Sequence, residues 1–182
     1  CVRKSENIRM TPGGSMPDLT GKAALVTGST DDVGRFVAQK LGEAGARVLV
    51  HGRDRTRGDQ VVAEIKQAGG KAVIQSGDLG KSASVNRIVE AIMAEFGRID
   101  IVINNAGTNV PNRWWRNLTT EGIDTLIAGN LQSAIYVTHA VLPIMRKQRS
   151  GQIITISSSA GFGGFAFGSA YAASKFGVEG WM

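Results

Sequence analysis

The sequence predicts an α/β protein built on a doubly wound parallel sheet, three layers deep in the order α/β/α. Three observations predict it. Short apolar runs alternate with helical patterns from Lys22 to the end of the chain. The runs are too uniformly apolar to have a solvent face, which is how strands buried on both sides of a parallel sheet read. The glycine and polar clusters fall directly after the strands, at 27–34, 51–54, 77–79, 104–108 and 157–161, and ligands of such sheets sit at those carboxyl ends.

In chain order, residues 23–26 are the first strand, ending at Thr27-Gly28. A helix follows over about 33–44, with Val37, Leu41 and Ala44 inward and Gly45 as its stop. Residues 48–50 are the second strand, and the charged stretch 56–68, closed by Gly69-Gly70, is the second helix. Residues 72–74 form the third strand. The third helix spans 82–96, where Val85, Ile88, Ile92 and Phe96 recur at helical spacing. Residues 99–103 are the fourth strand. A long helix is expected over 120–148, interrupted at Gly129 and at Pro143. Residues 152–156 are the fifth strand, and a last helix starts near Ser169. Right-handed crossovers join such strands into a doubly wound sheet.

A chain of 182 residues is one domain by length, with room for a substantial core. Its 24 glycines against 4 prolines suit many tight strand-to-helix turns. Residues 1–16 are polar and aperiodic and read as a tail outside the fold, with Met16 as a natural start; the folded domain is expected over 17–182. The net charge of +6 lies partly in that tail, at Arg3, Lys4 and Arg9 against Glu6. No basic stripe with interleaved aromatics appears, which argues against a nucleic-acid partner; a phosphate-bearing small ligand suits the charge. Cys1 is the only cysteine, so no internal disulfide or cysteine metal site is available. His51 and His139 lack companions at ligand spacing, so no metal is expected. No apolar run reaches the roughly 18 residues of a membrane span, and no signal-peptide pattern opens the chain. The expectation is no membrane association and a cytoplasmic location.

Two motifs carry chemistry on their own residues. Thr27-Gly28-Ser29-Thr30-Asp31-Asp32-Val33-Gly34 joins the first strand to the first helix. Glycines let backbone approach a pyrophosphate, and the helix amino end offers unpaired N–H groups and a positive dipole. A plain strand-to-helix turn is the other reading; its place as the first βα turn favours the phosphate. Tyr171-Ala172-Ala173-Ser174-Lys175 sets a phenol and an ammonium one turn apart on one helix face. A neighbouring cation favours a phenolate, and a tyrosine so placed can exchange a proton with an alcohol or carbonyl. Chance pairs of this spacing occur on solvated helices. This one gains weight from Ser157, Ser158 and Ser159 after the fifth strand and from the glycine turn.

Together these motifs resemble the short-chain dehydrogenase/reductase family over residues 17–182. Thr27, Gly28 and Gly34 match its Thr-Gly-x-x-x-Gly-x-Gly turn, with Asp32 standing where the middle glycine belongs. A carboxylate about 5 Å from a pyrophosphate charge costs on the order of 3 kcal/mol at an effective dielectric near 20, about a hundredfold in affinity. A side chain turned to solvent lowers that figure. The ribose-binding acid of the pattern would fall at Gly52 and is absent. Arg53 is placed to pair with a 2′-phosphate, so NADP(H) is favoured over NAD(H). A solvated arginine is the alternative, and Asp31 stands where NADP-preferring relatives often carry a base. Gly77-Asp78-Leu79 looks like the family's adenine-binding turn, and Asn104-Asn105-Ala106-Gly107 matches its tetrad without departure. Asn130 matches the helical catalytic asparagine. Ser158, thirteen residues before Tyr171 and three before Gly161, matches the catalytic serine and is preferred to Ser157 and Ser159.

The resemblance implies a Rossmann-like oxidoreductase transferring a hydride between NADP(H) and a carbonyl or secondary alcohol. It assigns cofactor contacts to Gly28, Ser29, Thr30, Val33, Gly34, Arg53, Asp78, Leu79, Asn105, Ala106, Gly107, Tyr171 and Lys175. The catalytic set is Asn130, Ser158, Tyr171 and Lys175. Tyr171 donates a proton while Ser158 hydrogen-bonds the carbonyl oxygen. Lys175 favours the phenolate and holds the nicotinamide ribose, and Asn130 holds a relay water through its side chain or backbone. Trp114, Trp115, Phe162, Phe165 and Phe167 form a wall for a hydrophobic substrate, or pack on a neighbouring subunit or further chain. Family members continue past the helix in which Met182 falls, with two more strands and a substrate-covering segment. The expectation is therefore a C-terminally truncated chain from a homo-oligomeric parent, with its fifth strand an exposed apolar edge. Asp32 and the early stop motivate an alternative, a nucleotide-binding regulatory protein or inactive fragment.

Overall fold

The period of two along β1 (Ala23–Val26) divides the interior into two cores. Leu25 joins Leu49, Val102, Ile88, Ile92, Val137 and Val141 on one face of the sheet. Ala24 and Val26 join Val48, Val50, Ala38, Val61 and Ile65 on the other. All four residues of β1 are fully buried, so the strand is the centre of the molecule, as its unbroken apolar run predicts. The computed structural model describes residues 17–164 and 167–182.

The sheet has five parallel strands in the order β3-β2-β1-β4-β5. β2 (Arg47–Gly52) pairs with β1 in the register Leu25↔Leu49, and β3 (Lys71–Ser76) continues outward. β4 (Ile101–Asn104) lies on the opposite side of β1, with Leu25↔Val102, and β5 (Gln152–Thr155) follows it. The direction of winding reverses between β1 and β4, which opens a crevice at their carboxyl ends. Helices α1 (Asp32–Glu43) and α2 (Arg55–Gln67) supply Ala38, Val61, Val62 and Ile65 to one face. The opposite face receives α3 (Ser82–Phe96) and α5 (Ser133–Gln148), through Val85, Ile88, Val89 and Ile92 and through Val137, Val141 and Met145. At the strand amino ends, the Asp100 carboxylate accepts from Ala23 N–H at 2.9 Å and from Arg98, pinning β4 to β1.

The 120–148 stretch departs from the expected interruptions. α4 (Thr120–Ile127) runs into a single π turn over Ala128–Gln132 and then directly into α5. The Ser133 N–H reaches back five residues to the Ala128 carbonyl. Gly129 is therefore a bulge rather than a break, and a β-carbon there would come within 3.0 Å of Thr108 Cγ2. π bulges of this kind commonly mark functional sites. Pro143 lies inside α5 without ending it. Burial of Val137, Val141 and Met145 against the sheet outweighs the missing hydrogen bond at an exposed position.

The last helix, α6 (Ser169–Trp181), starts where the sequence predicts and packs against the π turn, where Leu131 meets Gly177. β5 is the sheet edge among the described residues, and Ile154 on it is 40% exposed. Among the described residues no helix is long and apolar enough to cross a membrane.

Candidate active site

A cleft of about 820 Å³ opens at the carboxyl ends of the strands, over the crevice between β1 and β4. The glycine turn forms its floor. Gly28 has φ +61°, and a β-carbon there would lie 2.8 Å from Ala106 Cα. At Gly34 it would lie 2.2 Å from the Gly28 carbonyl oxygen. These two glycines are fixed by the left-handed turn and by the close approach of α1 to it. Asp32 has φ +45°, which explains the glycine expected at this position. Aspartate tolerates the left-handed region better than most residues. Its side chain is exposed at the cleft rim.

Thr30, Val33 and Gly34 line the cleft, but Ser29 does not. Ser29 is fully buried. Its Oγ donates to the Val26 carbonyl at 2.7 Å and accepts from His51 N–H at 3.0 Å. The structure thus gives Ser29 a positioning role, tying the turn to the end of β2. Gly52 explains the absent acid: a β-carbon there would lie 2.3 Å from Thr30 Cγ2, so Thr30 occupies that space. Arg53 is exposed, lines the cleft and makes no ion pair among the described residues. Asp31 pairs with Arg57 at 2.9 Å, which brings a second guanidinium to the same rim. Asp78 and Leu79 form the opposite wall, and the Asp78 carboxylate accepts from Gly80 N–H at 3.0 Å.

The strand-end asparagines act as cross-ties. Asn105 Nδ2 donates to the carbonyls of Thr27 and Gly28 at 3.1 and 3.0 Å. Thr27 Oγ1 returns the link by accepting from Asn105 N–H and Ala106 N–H, both at 3.0 Å. Asn104 Nδ2 donates to Thr138 Oγ1 at 3.1 Å and reaches Thr155 on β5 at 3.4 Å. Ala106 and Gly107 line the cleft. A side chain at Gly107 would fall 3.0 Å from Asn130 Oδ1 and 3.7 Å from Lys175 Nζ.

Tyr171 and Lys175 both face the cleft from α6. Lys175 is buried, and its Nζ donates to the Ile156 carbonyl at 3.0 Å. Burial pushes its pKa below the ordinary lysine value, while the Glu179 carboxylate pulls it up. Asn130 is buried on the π turn. Its Oδ1 accepts from Thr108 N–H at 2.6 Å, and its Nδ2 donates to Ser174 Oγ at 3.0 Å. Ser174 Oγ in turn donates to the Tyr171 carbonyl at 2.7 Å. Asn130 is thus held at both ends of its side-chain amide, by Thr108 and by Ser174. Ser158 Oγ accepts from Ala160 N–H at 3.2 Å and caps the short 3-10 turn Ser159–Gly161. Ser157 rather than Ser158 is among the cleft-lining residues, and its buried Oγ has no hydrogen-bond partner among the described residues.

Trp114 and Phe167 stack with ring centroids 4.5 Å apart, which brings the loop after β4 against the segment before α6. The Arg116 guanidinium lies over the Trp114 ring at 5.3 Å. Trp115 and Phe162 are each 75% exposed. Phe165 lies outside the described residues. Sequence reasoning missed Thr108 and Ser174, which hold Asn130, and the bonds of the His51 ring. No local spacing signals such contacts; Asn130 and Ser174 are 44 residues apart.

The model of the family described as short chain dehydrogenase matches residues 22–182. Ketoacyl reductase HetN of Nostoc sp. is 35% identical over 166 residues, covering 91% of this chain and 58% of that protein. D-beta-hydroxybutyrate dehydrogenase of Cupriavidus necator is 36% identical, over 89% of this chain and 62% of its own length. A metagenomic short-chain oxidoreductase solved in complex with NADP superposes with a TM-score of 0.87 at 38% identity, covering 91% of this chain and 75% of that one. The chain thus spans about three-fifths of the length of these two curated relatives. With the family model matched across almost the whole described fold, the chain belongs to the short-chain dehydrogenase family.

Proposed function

We propose that this protein is an NADP(H)-dependent oxidoreductase acting on a carbonyl or secondary alcohol of hydrophobic character, with Tyr171 as the proton donor and acceptor. The observation that carries the reading is the convergence of Tyr171 and Lys175 with the glycine turn in one cleft. The cleft also fits a dinucleotide on its own terms. Its volume of about 820 Å³ lies within the range of ligand sites, and Gly28, Gly34 and Gly107 line it with bare backbone, where β-carbons would run into Ala106, the Gly28 carbonyl and Asn130. Gly28, Thr30, Val33 and Gly34 would hold the pyrophosphate side, Asp78 and Leu79 the adenine, and Lys175 the nicotinamide ribose. Arg53, with no acidic partner among the described residues, supports a 2′-phosphate. When bound, the nicotinamide supplies or accepts the hydride.

In the reducing direction the Tyr171 hydroxyl gives its proton to the substrate oxygen as that oxygen becomes an alcohol. Lys175, held by the Ile156 carbonyl, stabilises the phenolate left behind. Ser158 Oγ accepts from Ala160 N–H and so keeps its own proton for the substrate oxygen. Asn130, clamped by Thr108 and Ser174, fixes the π turn beside Lys175. Trp114 and Phe167 offer apolar surface to the rest of the substrate.

The test combines cofactor titration with turnover over a panel of carbonyl compounds. NADPH is expected to bind more tightly than NADH, and Arg53→Ser is expected to remove about tenfold of that preference. Tyr171→Phe is expected to lower kcat by about 10²–10⁴-fold with cofactor affinity unchanged. Equal affinity for the two cofactors, untouched by Arg53→Ser, would refute the NADP(H) assignment. Cofactor binding with no turnover on any carbonyl would favour a nucleotide-binding regulator, the reading that Asp32 in the glycine turn keeps alive.

A further inference from the structure

His51 ends β2 with its ring buried at 3% exposure, yet it is among the residues lining the cleft. Its Nε2 lies 3.2 Å from the Gly77 carbonyl, and its Nδ1 lies 3.3 Å from Gly28 N. A carbonyl can only accept and a backbone N–H can only donate, so both contacts are satisfied by one form alone. That form is the neutral ring with its proton on Nε2. Its backbone adds two more ties, N–H to Ser29 Oγ at 3.0 Å and carbonyl from Ser29 N–H at 2.8 Å. Gly28 belongs to the turn after β1 and Gly77 to the turn after β3, so one imidazole spans two walls of the cleft. Burial also holds the ring neutral, pushing its pKa down to about 4 against the opposing pull of Gly77 and Asp78.

We propose that His51 is a positioning residue for the dinucleotide, a latch that fixes the glycine turn to the β3–α3 turn and presents both as one rigid surface. The proposal rests on the reading that the cleft takes a dinucleotide. It also assigns the Gly28 N–H to the latch rather than to the ligand, leaving the phosphate to the N–H groups at the start of α1. The two arms can be separated chemically. An asparagine at 51 keeps an acceptor near the Nδ1 position, and a glutamine places its amide near Nε2.

The experiment measures the NADPH dissociation constant by nicotinamide fluorescence for the unsubstituted chain and for His51→Asn, His51→Gln and His51→Leu, with folding checked by circular dichroism. His51→Leu is expected to weaken binding by about tenfold or more. His51→Asn and His51→Gln, each keeping one arm of the bridge, are expected to fall between leucine and histidine. Leucine binding as well as histidine, or either single-armed amide binding as tightly as histidine, overturns the latch. A second measurement needs no variant: the side-chain ¹⁵N spectrum of His51 at neutral pH is expected to show an unprotonated Nδ1 and a protonated Nε2. A proton on Nδ1, or a charged ring, overturns it even if the leucine variant does not fold. An unsubstituted chain that fails to bind NADPH removes the dinucleotide reading itself, and the ring tautomer still reports separately on the latch.

Discussion

Around the turn after β1, Ser29, Asn105, Thr27 and His51 are tied to one another or to neighbouring strand ends by hydrogen bonds of 2.7–3.3 Å. In the loops after β4 and β5, Ser157 Oγ is buried with no partner among the described residues, and Trp114, Phe162 and Phe167 are 46%, 75% and 50% exposed. The first region spends its polar groups on fixing its own shape. The second keeps hydroxyl and apolar surface uncommitted. A floor set in advance loses little order when a ligand arrives, whereas uncommitted groups can adapt to the substrate.

The sharpest test of the uncommitted region compares two adjacent hydroxyls. Ser158→Ala is expected to lower kcat by about 10²–10³-fold, the scale of losing one donor to a developing oxyanion. Ser157→Ala is expected to change it by less than about threefold. The reverse result would transfer the role to Ser157, which is among the cleft-lining residues.

Acid should break the committed region. The His51 pKa is lowered from 6.5 to about 4 by burial. The unfolded chain therefore binds the extra proton first. The ring contributes stability that is fully present above pH 6.5 and is lost as pH falls towards 4. That difference is worth about 3 kcal/mol. Urea melts of the unsubstituted chain and His51→Asn across this window should show a steeper fall in the former; parallel curves would remove His51 from the committed set.

The smallest expected effect lies on the rim. Asp32→Gly relieves a left-handed aspartate and removes a carboxylate facing the cleft. Solvent screening of an exposed charge reduces the Coulomb figure, so NADPH affinity should rise by about threefold to tenfold. Weaker binding would mean that Asp32 contacts the cofactor favourably.

Much of this was legible in the sequence. The apolar runs at 23–26 and 48–50 read as strands because a central parallel strand has no wet face, and the glycines at 28 and 34 mark a turn that side chains cannot enter. The 120–148 stretch was less legible. Helical propensity does not reveal a π turn, and a proline inside a helix is tolerated or not according to what the helix buries. Ser29 read as a ligand contact because its position matches the pattern; its side chain turns inward only because Val26 and His51 lie there.

By itself, then, the sequence determined the doubly wound sheet, the place of the cleft and the presence of Tyr171 and Lys175 on one helix beside it. Those follow from periodicity and from residues close together in the chain. Only the tertiary structure decided which polar groups face the cleft and which brace it. His51 reaches Gly28 and Gly77 across 23 and 26 residues, and Asn130 reaches Ser174 across 44. A hydrogen bond depends on distance and direction in space, and a linear pattern carries neither for residues brought together by the winding of the sheet.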